Sequence, residues 1–485
     1  MITNQRQYRI TKAQIGKFQA ALSDLQEKPG ELRSVHPDLV RAQADALRSQ
    51  VEELQELLAE YDALAAGREK VLDVASFEDL PQALIKARIA ASLSQKELAE
   101  RLGLKEQQIQ RYEATEYASA SLGRLREVID ALGIRVREEV FLPNTDVSLA
   151  GLMSRLQNVG IDRDFLLRRL LPSETAARLA EMAAGKAKEA TNVVLRAAGI
   201  VARVFGWSPS VIFTREPIPI SLAALGTRFK LPARADEVRL NTYTLYAHYL
   251  ALLVLQAAPN LPRKALPDDP RQVRAEILSQ NGSLDLRSVL EYVWSMGVPV
   301  LPLRDRGAFH GACWRVEGRN VIALKQPTAS QSRWTFDLLH EYWEAAQDLD
   351  DPDRAIVEVG EPLTSTEGNE VEANGFAGDV LLDNRAEELA KLCAQAAGMR
   401  VERLKSIVPQ IAHREKVPVD ALANYMAFRL TFDNKNWWGA ANNLQTQGTP
   451  PFSIARDVFM EKVDFSALNG LDAILLLQAL SDQGE

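Results

Sequence analysis

The chain has 485 residues, 46% of them hydrophobic and 25% charged, with a formal net charge of -8 and a pI near 5.5. That composition is globular, and at about 100–200 residues per domain it predicts three or four domains. The acidic balance argues against an RNA coat or an unselective polyanion binder, but it leaves room for a small DNA-reading module inside a larger acidic protein.

Cys313 and Cys393 match neither a disulfide scaffold nor a paired-thiolate metal site, which predicts a reducing, cytoplasmic setting. No secretory signal opens the chain, and the most apolar stretch, Leu250 to Ala258, is shorter than the roughly 20 residues needed to cross a bilayer. It reads as core, and no membrane is expected.

Taken in chain order, a first helix is expected to start at Thr11, where Thr11 and Gln14 form a capping box ahead of Ile15, Phe18 and Leu22, and to end at Pro29-Gly30. A longer helix follows from His36 to about Gly67. Its Val40, Ala44, Leu47, Val51, Leu54, Leu58, Tyr61 and Ala65 recur at alternating steps of four and three, the spacing of a coiled-coil seam. Two partners fit that seam: the first helix folded back as a hairpin, or the same helix of a second subunit in a homodimer.

From Phe77 to about Val136 the apolar pattern comes in short helical pieces broken at Gly103 and Gly133. The candidate core is Leu84, Ile85, Ile89, Leu93, Leu98, Leu102, Ile109, Leu122, Leu125, Val128, Ile129 and Leu132. Ser94 is placed to cap a helix from Gln95 to Leu102, and Gly103 turns the chain into a second helix, Glu106 to Glu113. That is a helix-turn-helix. The second helix offers Gln107, Gln108, Gln110 and Arg111 around a buried Ile109, and amide and guanidinium groups match base edges in the major groove. Lys96, Lys105 and Arg111 are placed for phosphates. A protein-interaction module without operator binding is the alternative.

The run Leu93-Ser94-Gln95-Lys96-Glu97-Leu98-Ala99-Glu100-Arg101-Leu102-Gly103-Leu104, followed by Ile109-Gln110-Arg111-Tyr112-Glu113, resembles the Xre family of helix-turn-helix regulators, related to the phage lambda and Cro repressors. The resemblance implies a four- or five-helix domain in which Gln95, Gln107, Gln108, Gln110 and Arg111 face a double-stranded operator, with dimers reading two half-sites. Such proteins usually carry a glycine where this chain has Thr115, which implies a differently shaped turn there.

Further on, Leu171-Pro172-Ser173 starts another helix, and Ala187 to Phe205 is apolar on more than one face until Gly206-Trp207-Ser208-Pro209 stops it. Phe229-Lys230-Leu231-Pro232 reads as a break before a helix capped by Asp236 and running to about Ala258. Pro259 through Pro270 then makes a link. A strand is expected at Val298 to Leu303, and a hairpin from Ala312, Trp314 and Val316 through Glu317-Gly318-Arg319-Asn320 to Val321-Ile322-Ala323-Leu324.

Leu338-Leu339-His340-Glu341-Tyr342-Trp343-Glu344 carries the His-Glu pair of a zinc-protease helix but has a glutamate where His-Glu-x-x-His has its second histidine. Residues four apart share a helical face, so His340 and Glu344 could approach one ion with Glu341 beside its water. One imidazole with two carboxylates is an unusual zinc set that suits manganese, another divalent metal or none. Downstream, Glu370 and Asn374 also stand four apart. Glu370 reads either as a third ligand or as an acid at a helix start, and Asn374 as a partner for the second nitrogen of His340.

Together, Val321 to Leu324, Trp334 to Glu341 and Glu370 to Leu382 resemble the ImmA/IrrE family of metalloproteins. The resemblance implies zinc on His340, Glu344 and Glu370, with Glu341 as general base. Glu344 departs from the family's histidine and implies a silent site, because two glutamates cancel the metal charge that would acidify a bound water. Members joined to an Xre domain are commonly regulators or antitoxin-like proteins. His310 is a candidate replacement imidazole, which keeps open an active zinc peptidase that cleaves a regulatory protein.

The expected fold is mainly α and multidomain. Residues 1–66 form a helical hairpin, 77–136 the helix-turn-helix domain, 140–270 a helical linker and sensor region, 286–390 a degenerate, zincin-like α+β domain, and 391–485 a helical end marked by Trp437-Trp438-Gly439 and Pro450-Pro451. The region after Val136, with acidic stretches such as Asp348, Asp350, Asp351 and Asp353, is expected to meet a regulatory protein or small-molecule signal rather than DNA.

Overall fold

The computed structural model describes residues 1–27, 37–67, 72, 74, 77, 79–136, 141–142, 145–188, 190–220, 227–230, 237–305, 311–326, 328–347, 354–358, 368–432, 435–446 and 448–481. The protein is mainly helical and divides into two compact units. One comprises 1–149 with 181–199 and 469–471, and the other 150–180, 200–468 and 472–485.

In the first unit, α1 (Gln5–Glu27) packs along α2 (Pro37–Ala65). The Tyr8 hydroxyl donates to Asp62 at 3.1 Å, and the Tyr8 and Tyr61 rings lie 5.2 Å apart. The α2 seam is therefore met by α1 of the same chain. The expected start of α1 at Thr11 is wrong. Asn4 Oδ1 accepts from Gln7 N at 3.0 Å and Gln7 Oε1 from Thr3 N at 2.7 Å, so the capping exchange occurs earlier and Thr11 lies inside the helix.

Four short helices follow: α3 (Leu80–Ala90), α4 (Gln95–Arg101), α5 (Glu106–Ala114) and α6 (Leu122–Leu132). Leu84, Ile85, Leu98, Ile109 and Val128 make a fully buried centre, and Ile2, Tyr61 and Leu64 of the hairpin join the same core. Leu122, expected inside, is 68% exposed. It sits in the first turn behind the Ser121 cap, off the face that Leu125, Val128 and Leu132 bury.

Beyond α6 come α7 (Leu149–Gln157), α8 (Arg163–Phe165) running into a π turn, α9 (Ser173–Ala183), α10 (Thr191–Phe205), α11 (Pro209–Phe213), β1 (Thr227–Lys230), α12 (Glu237–Ala257), α13 (Pro270–Asn281) and α14 (Leu286–Ser295). Then follow β2 (Val300–Leu303), β3 (Gly311–Val316), β4 (Arg319–Lys325), α15 (Gln331–Ala346), β5 (Arg354–Glu358) and α16 (Gly368–Leu381). The chain closes with α17 (Ala386–Ala396), α18 (Val401–Glu415), α19 (Val419–Phe432), α20 (Trp438–Asn442), α21 (Pro451–Lys462) and α22 (Gly470–Ala479). The expected cap Asp236 lies outside the described residues.

The sheet has five strands in the order β1-β5-β3-β4-β2. Strand β3 runs antiparallel to both β4 and β5, while β1 with β5 and β2 with β4 are parallel. It is larger than the sequence suggested. The expected break at Phe229 falls in edge strand β1, and β5 extends the opposite side of the hairpin from β2. The hairpin turn is also tighter than expected: only Glu317 (φ 49°) and Gly318 (φ 73°) form it, while Arg319 pairs with Val316. Two positive φ values match the twist of a two-residue loop.

The alternation of β3 sends its side chains to two helices. Trp314 meets His248 of α12 at 6.1 Å between ring centroids, whereas Gly311 lies against Glu341 of α15 and Arg315 donates to the Ala345 carbonyl of α15 at 2.7 Å. With both faces covered, the described core of the sheet is mostly apolar, with Arg315 and Lys325 as buried charged exceptions. Cys313 and Cys393 are buried and not disulfide-bonded. Among the described residues no helix is long and apolar enough to cross a membrane.

Candidate functional site

Helix α4 begins with a reciprocal cap: Ser94 Oγ accepts from Glu97 N at 3.1 Å and Glu97 Oε2 from Ser94 N at 2.7 Å. Gly103, at φ 64°, takes the left-handed conformation that lets the chain turn into α5. In α5 only Ile109 and Glu113 are buried. Gln107 and Arg111, one turn apart and exposed, form the centre of the opposite face. Gln108 and Gln110 flank it, also exposed. Gln108 Oε1 accepts from Lys105 N at 3.1 Å, closing the start of α5, and Gln110 Nε2 donates to Glu106 at 2.9 Å. Lys96 and Lys105 are exposed as well.

Gln95 is placed differently. Its Nε2 donates to Glu113 Oε2 at 2.7 Å and it is only half-exposed, so it holds the two helices of the motif together. Glu113 is the acid of a buried ion pair with Arg88 of α3, whose side chains are 1% and 3% exposed. The Arg88 guanidinium spans Glu113 through Nε and Nη2 and donates to the carbonyls of Leu93 and Thr3, each at 2.7 Å. This pair escaped the reading of the sequence. Its signal was an arginine inside the apolar run Leu84 to Ala91 and an acid four residues after Ile109, on the same helical face.

After α5, Glu116 (φ 46°) and Tyr117 (φ 55°) both adopt left-handed backbone. The Tyr117 side chain, 2% exposed, anchors that turn by burial against the bundle. The chain thus makes the turn without a glycine at the position of Thr115.

In the second unit, α15 is buried on all sides from Trp334 to Ala346. His340, Glu341 and Glu344 are 2%, 1% and 3% exposed. His340 Nδ1 lies 3.2 Å from Asn374 Oδ1 of α16, the distance of a hydrogen bond in which an amide oxygen accepts from a ring N–H. The Glu341 carboxylate covers the start of β3 so closely that a Cβ on Gly311 would sit 1.8 Å from Oε1. The side chain of Glu370 and all of His310 lie outside the described residues. Among the described residues no group of three or more His, Cys, Asp or Glu side chains is arranged to hold a metal ion.

A second buried polar group lies at the ends of β2 and β4. Tyr243 donates to Asp305 at 2.6 Å, Arg169 pairs with the other oxygen of Asp305, and Lys325 Nζ stands 4.2 Å from the centre of the Tyr243 ring. Burial pushes the Lys325 ammonium down to about 8, opposed in part by Asp305.

Compared with known proteins, residues 84–138 match the family model described as Helix-turn-helix, HTH_3. No curated protein matches the chain, and no solved structure does. The match spans a minor part of the chain and coincides with α3 to α6. The chain therefore carries an Xre/Cro-like helix-turn-helix domain at residues 84–138.

Proposed function

We propose that the chain is a sequence-specific regulator of transcription that binds a double-stranded operator, with α5 in the major groove. The observation that supports this most is the division of α5: Ile109 and Glu113 fix it to the bundle, while Gln107, Gln108, Gln110 and Arg111 are left at the surface. Uncharged amides beside one guanidinium give donors and acceptors to base edges, and Lys96 and Lys105 supply charge for phosphates. Gln95 acts with them by holding α4 to α5. The regulator works as a homodimer on two half-sites.

The proposed division of labour gives residues 1–66 and 77–136 to the DNA-binding part, and 140–270, 286–390 and 391–485 to sensing a small molecule or holding a regulatory protein, in an autoregulatory or antitoxin-like role. Within 286–390, the order of sheet, His340 helix and Asn374 helix supports descent from an ImmA/IrrE-type metallopeptidase whose site no longer works. Elemental analysis followed by a cleavage assay on wild type and Glu341→Gln tests whether the site is silent: stoichiometric zinc with proteolysis lost in the variant would overturn that reading and restore the peptidase. Operator binding is tested by titrating the chain's own promoter duplex at fixed salt. Replacing Gln107, Gln108 and Arg111 by alanine removes contacts worth about 1–3 kcal/mol per good bidentate pair. Unchanged affinity would remove this surface from the proposal.

A further inference from the structure

In a chain of net charge -8, residues 1–23 hold Arg6, Arg9, Lys12 and Lys17 and no acidic residue. All four are exposed. Helix α1 turns Tyr8, Thr11, Ile15, Phe18 and Leu22 toward α2, with Ile15 7% exposed and the others half-buried. At 100° per residue, Arg6, Arg9 and Lys17 then fall on the opposite side, with Lys12 at its flank. Ala13, Gly16 and Ala20 share this side with Ile10, 56% exposed, at its edge, so the cationic groups project past a mostly low surface.

The foot of this helix is joined to the DNA-reading motif. Arg88 Nη2 donates to the Thr3 carbonyl at 2.7 Å and to Glu113 of α5 at 2.8 Å, while Gln95, first residue of α4, reaches the same Glu113. Ile2, 4% exposed, is part of the core that α3 to α6 share. The basic helix therefore starts beside the N-terminus of α4 and is held there by the guanidinium that fixes the recognition helix.

We propose that the outer face of α1 is a second DNA-contacting surface, binding backbone phosphates that flank the groove read by α5. This rests on the operator-binding reading and deepens it. The occupant is duplex DNA because Arg6, Arg9 and Lys17 spread like charge along one side of the helix in a chain of net charge -8, which suits a polyanion of regular spacing, and phosphate contacts carry no base information. Arg6 and Lys17 stand about 16 Å apart along the helix at 1.5 Å per residue, a reach that covers several successive phosphates.

The test uses the full chain, a duplex enriched for it from a random-sequence pool, and an unselected duplex of equal length. Affinity is measured across salt for wild type and for a variant with Arg6→Ala, Arg9→Ala and Lys17→Ala. Loss of three phosphate contacts lowers the slope of log affinity against log salt by about 2.7, so that from 50 to 200 mM salt the wild type loses about 40-fold more affinity than the variant. That loss should appear equally on both duplexes, and a backbone footprint should shorten at its flank. A variant with the wild-type slope and footprint overturns this proposal while leaving operator binding by α5 intact. A variant that changes the oligomer size in light scattering but not the slope makes the face a subunit interface and overturns it too. If wild type enriches no duplex, both readings fall together. Circular dichroism of the variant confirms that the hairpin is still helical.

Discussion

Replacing Arg88 by methionine should unfold the helix-turn-helix more effectively than any change on its surface. Arg88 gives Glu113 two of its three hydrogen bonds and caps the carbonyls of Leu93 and Thr3. In the Arg88→Met protein the Glu113 carboxylate would stay buried with Gln95 Nε2 alone, at 2.7 Å. Breaking one side of a buried ion pair costs about 3–5 kcal/mol, and each carbonyl left without its donor adds about 1 kcal/mol. A total of about 5–7 kcal/mol approaches the whole stability of many small domains. Removing both charges, as Arg88→Met with Glu113→Leu, should recover at least about 2 kcal/mol of that loss, because no unpaired ion remains. Hydrogen exchange of peptides within 80–132, followed through rising urea, reads the stability of this part of the chain separately from the other unit. A loss below about 1 kcal/mol in Arg88→Met, or a double variant as unstable as the two single changes added together, would refute the role given to the pair.

Burial holds the His248 imidazole down to about 4, while in the unfolded chain it titrates near 6.5. The unfolded state therefore takes up a proton first, and this site should remove about 3 kcal/mol of stability from the second unit as pH falls from 6.5 to 4; a His248→Phe variant should have a flatter acid limb in a urea titration, and an identical limb would contradict the assignment. Lys325 has the same sign of dependence in a higher pH window. Its folded value of about 8 lies below the ordinary 10.5, so the unfolded chain holds the extra proton between them and wild type should gain about 3 kcal/mol relative to Lys325→Met on going from pH 8 to above 10. Gly311→Ala would drive a methyl group into Glu341 Oε1 and should destabilise the second unit by about 1–3 kcal/mol; preserved stability in urea would mean that Glu341 is not fixed over β3.

The readable parts of the fold were those governed by local chemistry. Ser94 before Gln95, Gly103 between two short helices, and Glu317-Gly318 between alternating strands each act within a few residues, so α4, α5 and the hairpin stood out in the sequence. What depended on distant packing did not. Strand β1 is only four residues long and pairs in register with β5, residue 227 against 355, a contact across more than a hundred positions that no periodicity carries. The family resemblance set Gln95 at the operator, and its hydrogen bond to Glu113 of the next helix is a contact that no local pattern carries. At the His340 helix, the motif spacing located four buried polar groups, but burial of every side of α15 is a property of the layers around it, and sequence alone left His340 divided between ligand and structural histidine.

Operator recognition by α5 is tested most directly by selecting ligands for the full chain from a random-sequence duplex pool at fixed salt, and repeating the selection with Gln107→Ala and Arg111→Ala combined. Wild type should enrich one motif, and the variant, with unchanged hydrogen-exchange protection in α3 to α6, should lose or alter it at the positions those side chains read. No enriched motif from wild type, or the same motif at equal enrichment from both proteins, would contradict recognition through this helix.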